Sequence, residues 1–273
     1  MGEPSYRELL YMLSKEAGEI IRSDFNSDCE TKKRWKENNT PVTETDLRVN
    51  YLAIAFVKQY FPTYNILGEE ESNLTQESDY LWICDPVDGT LAFSHSVPIC
   101  AFSMALVYKG QAIVGSIYDP FMDRFFYAEK DRGATLNGKP IHVNKRKTLV
   151  NQVIGMSGGH NDTINQGRLL NALRAKEAKV INLYSNMYMG ALLASGEFAA
   201  VIYGGRPVYD GAALKIIIEE AGGKVTNLFG VDQPYDRSIL GCVCTNGHIH
   251  NQIIEIIEKE ALLLTQPQII PTR

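Results

Sequence analysis

The sequence lacks any apolar segment long enough to cross a membrane. No uninterrupted apolar run approaches the ~18 residues that a membrane-spanning helix requires. The first residues, Met1–Ser5, are polar and acidic, and they do not resemble the apolar core of a secretory signal. We therefore expect a cytoplasmic protein that has no membrane partner.

The sequence also lacks an excess of positive charge, and it lacks a pattern of paired cysteines. With 27 basic and 32 acidic residues, the net charge is −5, which provides no basic surface for nucleic acid. The five cysteines are odd in number and contain no Cys-x-x-Cys pair. Reduced, mostly buried thiols are therefore expected in place of disulfides or zinc ligands. The cysteines are Cys29, Cys84, Cys100, Cys242 and Cys244.

The length of the chain and the order of its predicted helices and strands predict two lobes around a shared core. The chain has 273 residues, of which 45% are apolar and 22% charged, as in ordinary globular proteins. Residues 1–147 combine amphipathic helices with an antiparallel meander over residues 99–142. Residues 148–273 alternate strands with helices. The predicted fold class is therefore mixed, α+β in the first lobe and α/β in the second.

The most informative feature is a set of three acidic clusters that lie far apart in the chain. They are Gly68-Glu69-Glu70-Glu71-Ser72, Asp85-Pro86-Val87-Asp88-Gly89-Thr90 and Asp210-Gly211-Ala212-Ala213. The clusters lie at the predicted ends of strands or the start of a helix, so they could converge on one cleft. Carboxylates this close repel one another unless a cation binds between them. Oxygen ligands without histidine favour Mg²⁺ or Mn²⁺ over Zn²⁺.

Gly89 and Thr90 add an anion site to this cation site. They stand where a short helix is predicted to begin, and the backbone N–H groups at a helix start bind anions. Cations beside oriented N–H groups suit the hydrolysis of a phosphate ester, because two cations about 4 Å apart activate water and stabilise the leaving oxygen. The residues therefore predict a metal-dependent phosphatase.

These motifs resemble the signatures of the inositol monophosphatase family. The similarity covers almost the whole chain, from Val42-Thr43-Glu44-Thr45-Asp46 to Gly222-Gly223. The family belongs to a Mg²⁺-dependent, lithium-sensitive phosphatase superfamily that also contains fructose-1,6-bisphosphatases. The resemblance implies a layered α-β-α-β-α sandwich, a homodimer, and two or three Mg²⁺ ions, with Mn²⁺ as a substitute and Li⁺ as an inhibitor.

The resemblance also implies two sets of cation ligands. They are Glu69, Asp85 and the Val87 carbonyl for a first cation, and Asp85, Asp88 and Asp210 for a second. A third, weaker cation would lie near Glu69. Glu71 makes the acidic run one residue longer than the family's Gly-Glu-Glu-Ser. We assign Glu69 as the ligand because it directly follows the glycine.

The same resemblance implies the groups that handle the water and the phosphate. Thr90 would hydrogen-bond the attacking water, and Asp46 would orient Thr90 and accept its proton. Glu70 would act as an acid outside the direct cation ligands. The phosphate would lie on the cations and on the N–H groups of Gly89 and Thr90. Water attacks directly, so no covalent intermediate is expected.

The sequence departs from the family on the substrate side. Tyr184-Ser185-Asn186 stands where the family usually has Gly-Thr-Ala, and Tyr203 aligns with the acid that usually contacts an inositol hydroxyl. Arg206 could pair with a second anionic group of the substrate, although a surface charge near the cleft explains it equally well. We predict that Ser185, Tyr203 and Arg206 contact the substrate.

Because of these departures, the sequence does not identify which small phosphate ester is the substrate. Inositol 1-phosphate leads, followed by fructose 1,6-bisphosphate, histidinol phosphate and a nucleotide such as adenosine bisphosphate or NADP. A basic segment, Lys32–Thr40, is either a solvated loop or a flap that closes over an anionic substrate.

Two other functions fit parts of the pattern. A non-catalytic regulator that binds metal or phosphate would use the same carboxylates. Haloacid-dehalogenase phosphatases carry Asp-x-Asp-Gly-Thr, but the residue two positions before Asp88 is Pro86, which cannot act as their covalent nucleophile.

The histidines take no part in the predicted chemistry. His95 is expected at the rim of the cleft or in a structural role. The histidines expected on the protein surface are His142, His160, His248 and His250.

Overall fold

The computed structural model describes residues 4–25, 33–36, 41–158 and 163–262. The helices, in chain order, are α1 (Tyr6–Asp24), α2 (Glu44–Tyr60), α3 (Thr90–Phe93), α4 (Gln166–Ala175), α5 (Asn186–Ala194), α6 (Ala212–Glu220) and α7 (His250–Ile256). A 3₁₀ turn covers Val208–Asp210, and a π-helical turn, Ile257–Ala261, follows α7. None of the helices within these ranges is long and apolar enough to span a bilayer.

The strands form one hairpin and two sheets. They are β1 (Lys33–Trp35), β2 (Pro41–Thr43), β3 (Asn65–Gly68), β4 (Tyr80–Asp88), β5 (Ala101–Tyr108), β6 (Gln111–Asp119), β7 (Arg124–Glu129), β8 (Ala134–Leu136), β9 (Lys139–Pro140), β10 (Val153–Ser157), β11 (Lys179–Ile181), β12 (Ala200–Tyr203), β13 (Lys224–Thr226) and β14 (Cys242–Thr245). β1 pairs with β2, and β3 to β9 form a seven-stranded sheet in chain order. The remaining strands form a five-stranded sheet in the order β11-β10-β12-β14-β13. The mixed organisation predicted from the sequence is confirmed.

Two capping boxes fix the starts of α1 and α2. Ser5 accepts a hydrogen bond from the backbone N–H of Glu8, and the Glu8 carboxylate accepts one from the backbone N–H of Ser5. Thr43 and Asp46 make the same reciprocal pair at the start of α2. These side chains satisfy N–H groups that a helix start leaves without a partner. The position of Asp46 is thereby fixed by its local sequence.

Strand β4 carries the second acidic cluster and ends in a bulge. It pairs in parallel with β3 and antiparallel with β5. The apolar run Leu81-Trp82-Ile83-Cys84 predicts a short strand that ends at Cys84, but in the structure the strand continues to Asp88. Pairing with β5 shifts register between Asp85 and Asp88. Because a bulge of this kind re-aims side chains, it lets both carboxylates reach one site.

The elements stack in five layers. α1 and α2 pack on one face of the seven-stranded sheet, and α5 and α6 pack on its other face. The five-stranded sheet covers α5 and α6, and α4 and α7 lie on its outer face. This is the α-β-α-β-α order that the resemblance implies.

The division of the chain at residues 147 and 148 stays a prediction. The strands of the seven-stranded sheet lie before it, and those of the five-stranded sheet lie after it. One buried cluster nevertheless includes residues of both sheets, among them Ile83 and Val201. The two lobes therefore share a core.

The cysteines that the structure describes are buried and unpaired, as the sequence predicts. They are Cys84, Cys100, Cys242 and Cys244. Burial raises the pKa of Cys84 well above its ordinary value, which disfavours the reactive thiolate. Cys29 lies outside the described residues.

His250 is buried, and the prediction that it lies on the surface is wrong. Only 2% of the residue is exposed. Its Nε2 lies 3.0 Å from the hydroxyl of Thr226, and its Nδ1 lies 3.0 Å from the hydroxyl of Thr245. The ring therefore joins the start of α7 to β13 and β14, a tertiary contact that no local sequence pattern indicates.

The other histidines agree with the predictions where the structure describes them. His142 and His248 are exposed. His95 is also exposed, and its Nδ1 lies 2.8 Å from the carbonyl oxygen of Leu91, one helical turn earlier. His160 lies outside the described residues.

Acid is expected to weaken the fold through His250. Burial, with a smaller effect of Lys224, lowers its pKa from 6.5 to about 4. Between these values the unfolded chain binds a proton that the folded protein does not, so stability falls as pH drops through this range. His250→Asn should remove this dependence. In urea melts, the stability difference between wild type and variant should shrink by about 2 kcal/mol between about pH 7 and pH 5. A constant difference would contradict the assignment.

Candidate active site

Three carboxylates from distant parts of the chain meet in the structure. One oxygen from each of Asp85, Asp88 and Asp210 lies within 4.8 Å of the others. Asp85 and Asp88 come from the bulge at the end of β4, and Asp210 comes from the 3₁₀ turn before α6. Residues on both sides of the predicted boundary therefore contribute to one acidic cluster.

The cluster is electrostatically unfavourable without a cation. Burial, followed by the charge of Glu69, raises the pKa of Asp85 well above its usual range. Burial raises the pKa of Asp88 to about 6 and also raises that of Asp210. Asp85 Oδ1 is buried and, among the described residues, has no hydrogen-bond partner. An unsatisfied carboxylate oxygen beside two further carboxylates fits a hard divalent cation such as Mg²⁺.

Glu69 and Glu70 lie together beside this cluster, and Glu71 points elsewhere. The ammonium of Lys36 lies 2.9 Å from Glu69 Oε1 and 2.5 Å from Glu70 Oε1. The carboxylate of Glu71 instead accepts a hydrogen bond of 2.8 Å from the exposed Tyr51. The extra acid of the run therefore points away from Lys36 and the other two acids, and the assignment of Glu69 as a cation ligand stays a prediction.

Helix α2 holds the turn that carries these acids. The side-chain amide of Asn50 donates to the carbonyl oxygen of Glu71 at 3.0 Å. A Cβ on Gly68 would lie 2.2 Å from Asn50 Oδ1 and 2.4 Å from the Glu71 carbonyl oxygen. Gly68 is therefore required because the helix and the turn approach too closely for a side chain.

Thr90 and Asp46 are joined by a hydrogen bond. The Thr90 hydroxyl lies 3.0 Å from Asp46 Oδ1 and 3.0 Å from the carbonyl oxygen of Val87. The other carboxylate oxygen of Asp46 accepts hydrogen bonds from the backbone N–H and the hydroxyl of Thr43. Burial raises the pKa of Asp46 to about 7, although the hydrogen bonds from Thr43 lower it. A carboxylate with a pKa near neutrality is suited to accept a proton at physiological pH.

Gly89 connects the carboxylates of β4 to Thr90. Its φ of 100° is left-handed, a conformation that glycine adopts at little cost. A Cβ there would lie 2.9 Å from the carbonyl oxygen of Ile99 and 3.1 Å from Ser185 Cβ. The loop is therefore fixed both by its backbone conformation and by its close approach to Ile99 and Ser185.

The start of α5 holds Asp88. The hydroxyl of Ser185 donates to its carboxylate, as do the backbone N–H groups of Asn186 at 3.2 Å and Met187 at 2.7 Å. Ser185 has no exposed surface. Its contact with substrate stays a prediction, and in the structure its hydroxyl positions a carboxylate of the cluster.

Tyr203 lies inside the protein and Arg206 lies at its surface. Only 2% of Tyr203 is exposed, and its hydroxyl donates to the carbonyl oxygen of Pro207 at 3.1 Å. Arg206 is exposed, and its backbone carbonyl accepts a hydrogen bond from Ile239. The substrate contacts expected of both residues stay predictions.

The basic segment Lys32–Thr40 is described only in part. Lys33–Trp35 form β1 of the hairpin, and Lys36 extends from it to the acidic turn. Lys32 and residues 37–40 lie outside the described residues. The described end of the segment therefore contacts the acidic site.

Some contacts that support the site are absent from the predictions. Asn186 Nδ2 lies 3.4 Å from Asp210 Oδ1, and Asn186 Oδ1 accepts a hydrogen bond from Ser157. These residues lie far apart in the chain, so no local pattern indicates them. One signal is present in the sequence, because Thr43-x-x-Asp46 has the spacing of a capping box.

Cation binding at the cluster is expected to release protons. Because the pKa of Asp88 is raised to about 6, protons compete with the cation as the pH falls. Mg²⁺ affinity should therefore rise between about pH 5.5 and pH 7.5. Titration calorimetry in two buffers of different ionisation enthalpy measures the released protons. Affinity that does not change with pH would contradict a site made of these carboxylates.

Comparison with known proteins shows which family the chain resembles. The profile of the inositol monophosphatase family matches residues 5–262. Inositol monophosphatase 1 of Solanum lycopersicum is 34% identical over 257 residues, which cover 90% of this chain and 92% of the relative. A Thermotoga maritima protein named fructose-1,6-bisphosphatase/inositol-1-monophosphatase is 28% identical over 219 residues, covering 80% of this chain and 82% of the relative.

The solved structure of a Thermotoga maritima IMPase has the same fold. It matches with a TM-score of 0.83 at 26% identity and covers 93% of this chain and 96% of its own. The predicted layered sandwich is thereby confirmed. Because the family profile also extends over all three acidic motifs, the chain belongs to the inositol monophosphatase family and is a phosphomonoesterase.

Proposed function

We propose that this enzyme is Mg²⁺-dependent and hydrolyses a small sugar or cyclitol phosphate, with inositol 1-phosphate as the leading substrate. The observation that carries the proposal is the hydrogen-bonded pair of Asp46 and Thr90, because Thr90 lies two residues after Asp88 of the carboxylate cluster. A proton acceptor next to a cation site is the arrangement that direct attack by water requires.

The residues that would hold the cations are those named from the resemblance. They are Glu69, Asp85 and the Val87 carbonyl for one cation, and Asp85, Asp88 and Asp210 for the other. When bound, the cations supply positive charge to the phosphate oxygens and lower the pKa of water. Asp88 is already oriented by three donors at the start of α5, so its carboxylate needs little rearrangement.

Thr90 and Asp46 would carry the proton of the attacking water. The Thr90 hydroxyl has one hydrogen, and donation to Asp46 Oδ1 leaves its oxygen free to accept a hydrogen bond from the water. The water proton passes through Thr90 to Asp46, whose pKa of about 7 suits this role. A P–O bond to the water oxygen forms as the ester P–O bond breaks, and the leaving oxygen takes a proton from solvent water. Asp46 then returns its proton to solvent, and the products are inorganic phosphate and an alcohol. The N–H groups of Gly89 and Thr90 would support the phosphate.

The relatives and the surface charge support a ranking of substrates. The relatives named above carry inositol monophosphatase in their names, and the Thermotoga maritima protein adds fructose-1,6-bisphosphatase. Exposed Arg206 suits a second phosphate group, which keeps fructose 1,6-bisphosphate and adenosine bisphosphate as alternatives. Histidinol phosphate and NADP complete the set.

We also infer the remaining properties that the family resemblance implies. They are two or three Mg²⁺ ions, Mn²⁺ as a substitute, Li⁺ as an inhibitor, a homodimer and a cytoplasmic location. The unpaired buried cysteines within the described residues agree with a reducing compartment.

Phosphate release from a substrate panel tests the proposed function. The panel contains inositol 1-phosphate, fructose 1,6-bisphosphate, histidinol phosphate, adenosine 3′,5′-bisphosphate and NADP, each at saturating Mg²⁺. We expect the highest kcat/KM for inositol 1-phosphate. A higher value for a bisphosphate would assign the site to that substrate, and the same assay with Arg206→Ala would show whether Arg206 is responsible. Release from no member by folded, Mg²⁺-bound protein would contradict the proposal.

A further inference from the structure

We propose that Asn186 is a positioning residue that orients Asp210 for the cation that it would share with Asp88. The inference rests on the proposed function, because it assigns a support to the same cation site. Asn186 occupies the first position of α5, where segments from both lobes meet.

Asn186 contacts both carboxylates through different groups. Its backbone N–H lies 3.2 Å from Asp88 Oδ1, and its side-chain Nδ2 lies 3.4 Å from Asp210 Oδ1. Asp88 belongs to the bulge of β4, and Asp210 belongs to the 3₁₀ turn before α6. A single residue thereby links a predicted cation ligand of the first lobe to one of the second.

Ser157 and Asp210 together determine which way the Asn186 amide points. The hydroxyl of Ser157, at the buried end of β10, donates to Asn186 Oδ1. The amide nitrogen therefore faces the other side, where the acceptor is the carboxylate of Asp210. The reversed amide would place Oδ1 against a carboxylate oxygen, which is repulsive. The chemistry of the three groups thus fixes the order Ser157, Asn186, Asp210.

The hydrogen bond restricts the rotation of the Asp210 carboxylate before a cation binds. A ligand that is already oriented loses less conformational freedom on binding, and removal of such a supporting partner typically weakens metal binding about 10–100-fold. The distance of 3.4 Å is long for a hydrogen bond, so we expect the lower end of this range.

Mg²⁺ binding measured by titration calorimetry without substrate tests the inference. Asn186→Ala should weaken binding about 10-fold, and Ser157→Ala should weaken it about 3-fold. Because Ser157 acts through Asn186, the double variant should bind no more weakly than Asn186→Ala alone. Asn171→Ala, on the exposed surface of α4, is the matched control and should bind as wild type does.

The activity of the same variants separates positioning from catalysis. In Asn186→Ala the Mg²⁺ concentration for half-maximal phosphate release should rise about 10-fold, while release at saturating Mg²⁺ should stay within about 3-fold of wild type. Unchanged Mg²⁺ affinity in folded Asn186→Ala would overturn the inference, and so would additive losses in the double variant. Wild-type Mg²⁺ affinity in Asp85→Asn would instead refute the proposed cation site itself, so the two failures are distinguishable.

Discussion

Replacing Asp85 by asparagine is expected to abolish Mg²⁺-dependent phosphate release while leaving the protein folded. Asp85 belongs to both proposed ligand sets, and its buried Oδ1 has no hydrogen-bond partner among the residues that the structure describes. A neutral amide replaces the charged carboxylate in this variant. Since bound cations contribute several kcal/mol to such transition states, we expect a loss of about three orders of magnitude in kcat/KM.

The same substitution should stabilise the cation-free protein. Burial and neighbouring carboxylates raise the pKa of Asp85, so its ionised form opposes folding at neutral pH. In EDTA, Asp85→Asn should therefore melt at a higher temperature than wild type, and Mg²⁺ should raise the Tm of wild type far more than that of the variant. Asp79→Asn, which alters an exposed pair with Lys109, is the control and should change neither property. Full activity in folded Asp85→Asn would show that Asp85 is not a ligand.

Thr90→Ala is expected to lower kcat about 10²–10⁴-fold, the usual range for loss of general acid–base catalysis. The hydroxyl of Thr90 is the group that would connect the attacking water to Asp46. Mg²⁺ affinity should change little, because the Thr90 side chain is not one of the proposed cation ligands. The measurement is kcat at saturating Mg²⁺, together with calorimetric Mg²⁺ binding on the same protein.

Two further variants control this prediction. Thr90→Ser keeps the hydroxyl and should retain most of the activity, whereas Asp46→Asn should lose activity to a similar extent as Thr90→Ala. The double variant should be no slower than either single variant, since both residues serve one proton path. Wild-type kcat in Thr90→Ala would contradict the proposed proton path, and weak Mg²⁺ binding with normal kcat would assign Thr90 to the cation site.

Much of the fold is predictable because its determinants are local. The apolar spacing of α1 and the turn at Asn137-Gly138 are read directly from the sequence, and the structure contains both the helix and the meander. The end of β4 is not predictable in this way. It extends to Asp88 because β5 pairs with it across a bulge, and that pairing depends on tertiary structure. The burial of His250 has the same kind of cause.

The residue types of the acidic site can be predicted from the sequence. The contacts that orient the neighbouring side chains cannot. The convergence of Asp85, Asp88 and Asp210 follows from their positions at the ends of elements, and the structure brings them together. The side-chain directions of Ser185 and Tyr203 depend on their partners from distant segments, Asp88 in the first case and a backbone carbonyl in the second. The sequence predicts that both residues contact substrate, but it does not show that protein acceptors already bind their hydroxyls.

Phosphate release from inositol 1-phosphate by EDTA-stripped enzyme, measured while Mg²⁺ is added back, tests the central claim most directly. The account predicts no release in EDTA and full, saturable recovery with Mg²⁺ in wild type, with no recovery in Asp85→Asn. Turnover that persists after EDTA treatment, or that recovers equally in the variant, would contradict a hydrolytic site built on the acidic cluster.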